Sequence, residues 1–194
     1  MRHKCLHVPL SQATESFTTD EHPRGKATME SLAKLPSVFK KDGTVTAGNA
    51  SGICDGAAAN IVASESALKE HSLKPLARIV SYAYSACEPS IMGIGPVQSI
   101  KKAIERAGSG YSLQDMDLIE VNEAFAAQTL AVQKELEIPN EKFNVHGGSI
   151  ALGHPLGASG ARITANVVHN LIRLDKKKAV VSACIVSSKE KRER

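Results

Sequence analysis

LIEVNEAFAAQTLAVQKEL, residues 118–136, contains the change of period on which the fold turns. Residues 118–121 read as a short strand that runs into Asn122. From there Phe125, Thr129, Val132 and Leu136 fall along one face of a helix. The same alternation continues on both sides. Upstream, PVQSIKKAIERAG (96–108) predicts a helix: proline suits a first turn, Val97, Ile100, Ala103, Ile104 and Ala107 keep helical spacing, and Gly108 is a natural stop. LARIVSYA (76–83) and AAANIVAS (57–64) read as strands, with a short helix over 65–71. Downstream, Ile163, Val167, Val168, Leu171 and Ile172 predict a helix starting near Ser159, and KKKAVVSAC (176–184) reads as a final buried strand. Strands alternating with helices imply an α/β layer on a largely buried sheet. Residues 1–30 are polar and weakly periodic, which predicts irregular structure.

Composition sets the material for that layer. The 194 residues are 42% hydrophobic and 23% charged, ordinary values for a globular protein. With no Trp and 4% aromatics, the core must be packed by Ala, Val, Ile and Leu. No run approaches the ~20 apolar residues of a membrane span. The net charge of +4 comes from 24 basic and 20 acidic residues, concentrated in Lys176–Lys178 and the tail from Lys189. No aromatics are interleaved with these charges, so they read as solvated surface rather than a nucleic-acid face. Cys5, Cys54, Cys87 and Cys184 lack CxxC spacing and follow no secretory signal, which points to free thiols in a reducing setting. MRHKCLHVPL is basic, but Glu15, Asp20 and Glu21 follow closely, and it is not read as a transit peptide.

Chemistry concentrates at the carboxyl ends of the strands, the edge where open α/β sheets place ligands. Asn122 and Cys184 each fall just beyond a predicted strand. GHPLGASGAR (153–162) places His154 between glycines at the entrance of a helix. His154 has the right pKa range for a general base, while a His-Pro turn is also a common structural device. Cys184 suits a thiolate base or inert packing at a strand end. Asn122 suits an oxyanion-site donor or a helix cap accepting from the N–H of Ala124 or Phe125. Gly93-Ile94-Gly95 lacks the third glycine of a dinucleotide fingerprint, GHPLGASG lacks the ending of a P-loop, and His146 and His154 have no metal-ligand pattern around them.

Five segments decide between these readings. TVTAGNASG (44–52), SIMGIGP (90–96), VNEAFA (121–126), GHPLGASGARI (153–163) and SACI (182–185) occur in the order found in thiolases. Over about residues 20–185 the sequence resembles that family, most closely its mitochondrial-type 3-ketoacyl-CoA thiolases (acetyl-CoA acyltransferases). The resemblance implies a mixed sheet with helices on both faces. It assigns residues 1–53 to an irregular segment and the end of a CoA-binding loop domain, 54–75 to the last part of an N-terminal domain, and 76–194 to the C-terminal domain with a divergent charged tail.

The resemblance also implies site roles. His154 would deprotonate a nucleophilic cysteine and bind the thioester oxygen, Asn122 would position a water in that oxyanion site, and Cys184 would move the proton at the substrate α-carbon. Ala47, Ser51, Met92, Ala124 and Phe125 would line the pantetheine and acyl end, with Arg24 and Ser31 near the adenine and phosphate end. The ligands implied are acyl-CoA and CoA, the latter as co-substrate, with no resident cofactor. A homo-oligomer or a hetero-oligomer with full-length thiolase is implied, and a mitochondrial setting, with the cytoplasm as alternative.

Three departures stand out. No segment resembles the family's nucleophile motif, Val186-Ser187-Ser188 and KEKRER replace a glycine-rich turn and apolar strand, and His146 stands where the family usually has Asn. The expectation is therefore a thiolase C-terminal half, about half the family's length, without the acylated cysteine and without thiolysis of its own. The alternative is a non-catalytic acyl-CoA-binding or thiolase-partner module.

Overall fold

The computed structural model describes residues 19–185. Cys5, the basic N-terminal stretch, Val186-Ser187-Ser188 and the charged tail lie outside them. The strand expected at 118–121 forms as β1, Leu118–Val121, and pairs in parallel with β2, Ala179–Ser182. The register sets Leu118 against Ala179 and Val121 against Ser182. β1 is also finished on its other edge. Ile119 bridges Phe143, and Asn144 folds its side chain onto the strand, accepting from the Val121 N–H at 2.8 Å and donating to the Val121 carbonyl at 2.9 Å. An asparagine side chain thus substitutes for a neighbouring strand, leaving no backbone group of Val121 unpaired.

Helices cover both faces. α3, Gly95–Ala107, begins with Pro96 in its first turn and ends at Gly108, whose φ of 92° is open to glycine. Its Val97 and Ile100 meet Ile119 and Val121 of β1 and Val132, Leu136 and Ile138 from the other covering helix, α4 (Ala126–Glu135), and the loop after it. Ile100, Ile119, Val121 and Val132 are essentially inaccessible. Each such side chain contributes about 1.5–3 kcal/mol of transfer free energy. On the opposite face lies α6, Ser159–Arg173, which buries Ile163, Val167 and Asn170. Three short α-helices complete the set among the described residues: α1 (Met29–Ala33), α2 (Glu65–Glu70) and α5 (Ser149–Leu152).

Several local expectations are corrected. The helix after β1 starts at Ala126 with Phe125 as its cap residue, so Asn122 caps nothing through its side chain. β2 is half-buried along its length rather than buried. Residues 57–63 and 76–83 form no ladder among the described residues. Among the described residues the hydrogen-bonded ladder is parallel and two-stranded, within the α/β layer expected. Leu76, Ile79 and Val80 line, together with Val180 of β2, a cleft of about 910 Å³.

Candidate active site

The seam that builds the site is residues 49–52. Asn49 accepts the Ala126 N–H at 2.8 Å, Ser51 donates its N–H and hydroxyl to the Ala124 carbonyl, both at 3.0 Å, and Gly52 accepts the His154 N–H at 2.8 Å. Three distant segments, the TAGNASG loop, the end of β1 and the loop before α6, are thereby stitched together. Gly153 permits the last of these. Its φ of 89° disfavours side chains, and a Cβ there would lie 2.4 Å from the Cys54 sulfur. Gly157 and Gly160 have open space around them, so no close approach accounts for those two glycines.

At that junction His154 meets Asn122. The His154 Nε2 lies 3.2 Å from the Asn122 Nδ2, and its Nδ1 lies 2.6 Å from the Ser159 hydroxyl. Ser159 spends its own proton on the Pro155 carbonyl at 3.0 Å, so Nδ1 is the donor in the histidine–serine contact. Nε2 is then the bare nitrogen, accepting from the Asn122 amide. Burial, followed by the nearby Arg162 charge, lowers the His154 pKa from its ordinary value. The ring is accordingly neutral near pH 7, with its lone pair on the side facing Asn122. Asn122 itself is 2% exposed, and its N–H ties the end of β1 to Ser182 at 2.9 Å. His154 therefore does not cap α6; it stands five residues before Ser159, turned back toward the sheet.

Cys184 leaves β2 where Asn122 leaves β1, so the ladder brings both to the same edge. No side-chain hydrogen bond joins Cys184 to His154 or Asn122 among the described residues. Burial raises the Cys184 thiol above its usual pKa, and Cys87 close by adds to the rise. At neutral pH it is therefore a thiol.

The remaining site candidates divide by position. Ala124 and Phe125 follow Asn122 directly; Ala50 bridges Phe125, whose ring packs edge-on against Phe39 at 5.9 Å between centroids. Ser51 belongs to the seam, while Ala47 is exposed on the turn before it. Met92 lies in a 3-10 segment, Pro89–Ile94, where Gly93 sits against Gln128 of α4. Arg24 and Ser31 are exposed on the far N-terminal side, and the Ser31 hydroxyl closes the capping box of α1 with Thr28. His146 lies against Arg173 and makes no contact with the His154 loop through its side-chain hydrogen bonds. Among the described residues no group of three His, Cys, Asp or Glu side chains is placed to hold a metal ion.

Two family models match the chain, the thiolase C-terminal domain over residues 73–191 and the thiolase N-terminal domain over residues 6–66. The chain belongs to the thiolase family. It is 60% identical over 180 residues to the mitochondrial 3-ketoacyl-CoA thiolase of Pongo abelii, covering 93% of this chain and 45% of that one. An acetyl-CoA acetyltransferase of Pseudomonas aeruginosa is 53% identical over 169 residues, 87% of this chain and 42% of that one. The crystal structure of human mitochondrial 3-ketoacyl-CoA thiolase superposes with a TM-score of 0.82 at 55% identity, covering 92% of this chain and 45% of the other. Its complex with CoA superposes at 0.81. The thiolase fold is thus established, and the chain spans a little under half the length of the relatives it matches.

Three residues of this site were given no role from the sequence. Ser149 lies outside the quoted motifs, Ser159 and Arg162 lie within GHPLGASGAR without an assigned function, and only the folded loop shows that they surround the Asn122–His154 pair. Glu120 was likewise silent. It faces α6, where Asn166 donates to both carboxylate oxygens at 3.1 and 2.8 Å, and burial pushes its pKa up to about 7.

Proposed function

We propose that these residues supply the proton-transfer half of a thiolase reaction, the cleavage of a 3-ketoacyl-CoA by CoA or its reversal as a Claisen condensation. The observation that carries the reading is the bare Nε2 of His154 held 3.2 Å from the Asn122 amide at the end of β1. In thiolysis, Nε2 takes the proton of the attacking cysteine thiol. The thiolate adds to the C3 carbonyl, the C2–C3 bond breaks, and its electron pair passes to the enolate of the departing acyl-CoA. Cys184, protonated because it is buried, gives its proton to C2. The CoA thiol then gives its proton to the Cys184 thiolate and attacks the acyl-cysteine; the acyl group passes to CoA, and the cysteine leaves as a thiolate that takes back the proton held on Nε2. Once Nε2 carries that proton it is assigned to donate to the oxygen on which charge develops, with Asn122 assigned to position a water there, an effect that is large where water is excluded.

None of Cys5, Cys54 or Cys87 stands in the sequence context of the family's nucleophile, and Cys184 is assigned the proton at C2. The cysteine that becomes acylated is therefore assigned to sequence outside these 194 residues. Ser51, Ala47, Met92, Ala124 and Phe125 are assigned to the pantetheine and acyl end, with Arg24 and Ser31 toward the nucleotide, in support of which stands a relative whose structure is described as a complex with CoA. The names of the mammalian relatives support a mitochondrial setting, which imaging of the tagged chain checks. The test of function is acetoacetyl-CoA cleavage by the purified chain, alone and with a separately produced thiolase polypeptide bearing the nucleophile. Activity is expected only in the mixture, and His154→Ala abolishes it. CoA binding with no turnover in the mixture favours the non-catalytic module instead.

A further inference from the structure

An asparagine can present either its nitrogen or its oxygen to a histidine, and the two choices have opposite consequences. A nitrogen donates to Nε2 and keeps it unprotonated, whereas an oxygen accepts from Nε2–H and favours the proton there. The hydrogen bonds behind Asn122 decide the matter. Ser149, 1% exposed at the start of α5, lies with its hydroxyl 2.6 Å from the Asn122 Oδ1. The Arg162 guanidinium, from the first turn of α6, donates to the same hydroxyl oxygen at 2.7 Å. Guanidinium is only a donor, and among the described residues the Ser149 hydroxyl has no other acceptor than Oδ1, so a reversed amide would leave its proton unpaired in a side chain 1% exposed. Oδ1 is thereby fixed on the Ser149 side and Nδ2 on the His154 side. The line of donors runs one way: Arg162 to Ser149, Ser149 to Asn122, Asn122 to His154 Nε2, then His154 Nδ1 to Ser159 and Ser159 to the Pro155 carbonyl.

We propose that Ser149 and Arg162 are positioning residues: they lock the Asn122 amide so that His154 is held as the Nδ1–H tautomer with Nε2 unprotonated. Neither touches the reacting atoms. The Arg162 charge also acts through space on the ring, in the same sense as burial. The other charged groups near this junction are Glu123, which accepts the Ile150 N–H at 3.1 Å, and Glu120 behind Asn166; neither hydrogen-bonds the line itself. His22, whose ring lies against Gly52 and whose Nε2 is 3.2 Å from the Ile150 carbonyl, is also outside it. The importance of this tautomer for catalysis rests on the proposed function, but its existence does not.

The test is the tautomer itself, read from long-range 1H–15N spectra of the histidine rings in the full chain above the His154 titration. In the wild-type chain the expected pattern is protonated Nδ1 and bare Nε2. In Ser149→Ala the Asn122 amide is free to turn over, so the Nε2–H form gains population and the His154 pKa moves upward. Arg162→Met, a second variant that leaves Ser149 in place, moves the tautomer ratio in the same direction. An Nε2–H tautomer in the wild-type chain overturns the proposal even if neither variant folds. An unchanged tautomer ratio in a folded Ser149→Ala overturns it as well. A wild-type Nδ1–H tautomer combined with full thiolysis by His154→Ala in the reconstituted mixture leaves this inference standing and removes the base reading instead.

Discussion

β1 and β2 are equal partners in one four-residue parallel ladder, yet every residue of β1 is buried and every residue of β2 only half-buried. The difference lies at their outer edges. β1 is closed by Phe143 and Asn144, whereas β2 faces a cleft of about 910 Å³ lined by Leu76, Ile79, Val80 and Ile172. The contrast extends to the ends of the strands. Asn122, after β1, is fixed by contacts to Ser149, His154 and Ser182, while Cys184, after β2, has no side-chain hydrogen-bond partner among the described residues. Preorganisation in this chain thus follows burial of the strand that presents the residue.

The largest predicted effect sets the two sides of the ladder against each other. Ile100→Ala, on the closed side, is expected to cost about 2–5 kcal/mol in urea unfolding. Ile172, at the cleft, is 54% exposed, and its replacement by Ala is expected to change stability by less than about 0.5 kcal/mol. Equal costs would remove the distinction.

Next comes Glu120 on the buried strand, whose pKa stands at about 7 against an ordinary 4.5. Because the folded state favours the protonated carboxyl, its contribution is complete below about pH 4.5 and is lost as pH rises through about 7. The loss amounts to about 3 kcal/mol. Glu120→Gln should flatten stability across that window; a wild-type curve already flat there contradicts the buried placement. A smaller effect, about 1–3 kcal/mol, is expected for Gly153→Ala, where φ of 89° and the Cys54 sulfur both oppose a side chain. No loss of thermal stability in that variant would mean the His154 loop is not held by this glycine.

Local sequence was sufficient wherever local rules governed. The apolar run of β1 and the Pro96 and Gly108 signals of α3 set those elements to within a residue. It failed where a tertiary partner overrode the local preference. Asn122 has the composition of a helix cap, but its side chain is taken by Ser149 and His154, and the helix begins at Ala126 instead. Residues 76–83 have the β-branched content of a strand, but an extended segment becomes a strand only when an edge accepts it, and among the described residues none pairs with this one. In the site, His154 was legible because glycines surround it and Asn122 because it ends a strand. The roles of Ser149, and of Ser159 and Arg162 inside GHPLGASGAR, were not, since an ordinary serine or arginine acquires its role only from what the folded chain sets beside it.

The central claim is that these residues form a thiolase base site that depends on a cysteine from elsewhere. It is tested most directly by following CoA-dependent cleavage of acetoacetyl-CoA with homogeneous protein. The account predicts no cleavage by the chain alone, cleavage when a nucleophile-bearing thiolase polypeptide is added, and loss of that activity in His154→Ala. Robust cleavage by the chain alone, or an undiminished rate with His154→Ala in the mixture, would contradict it.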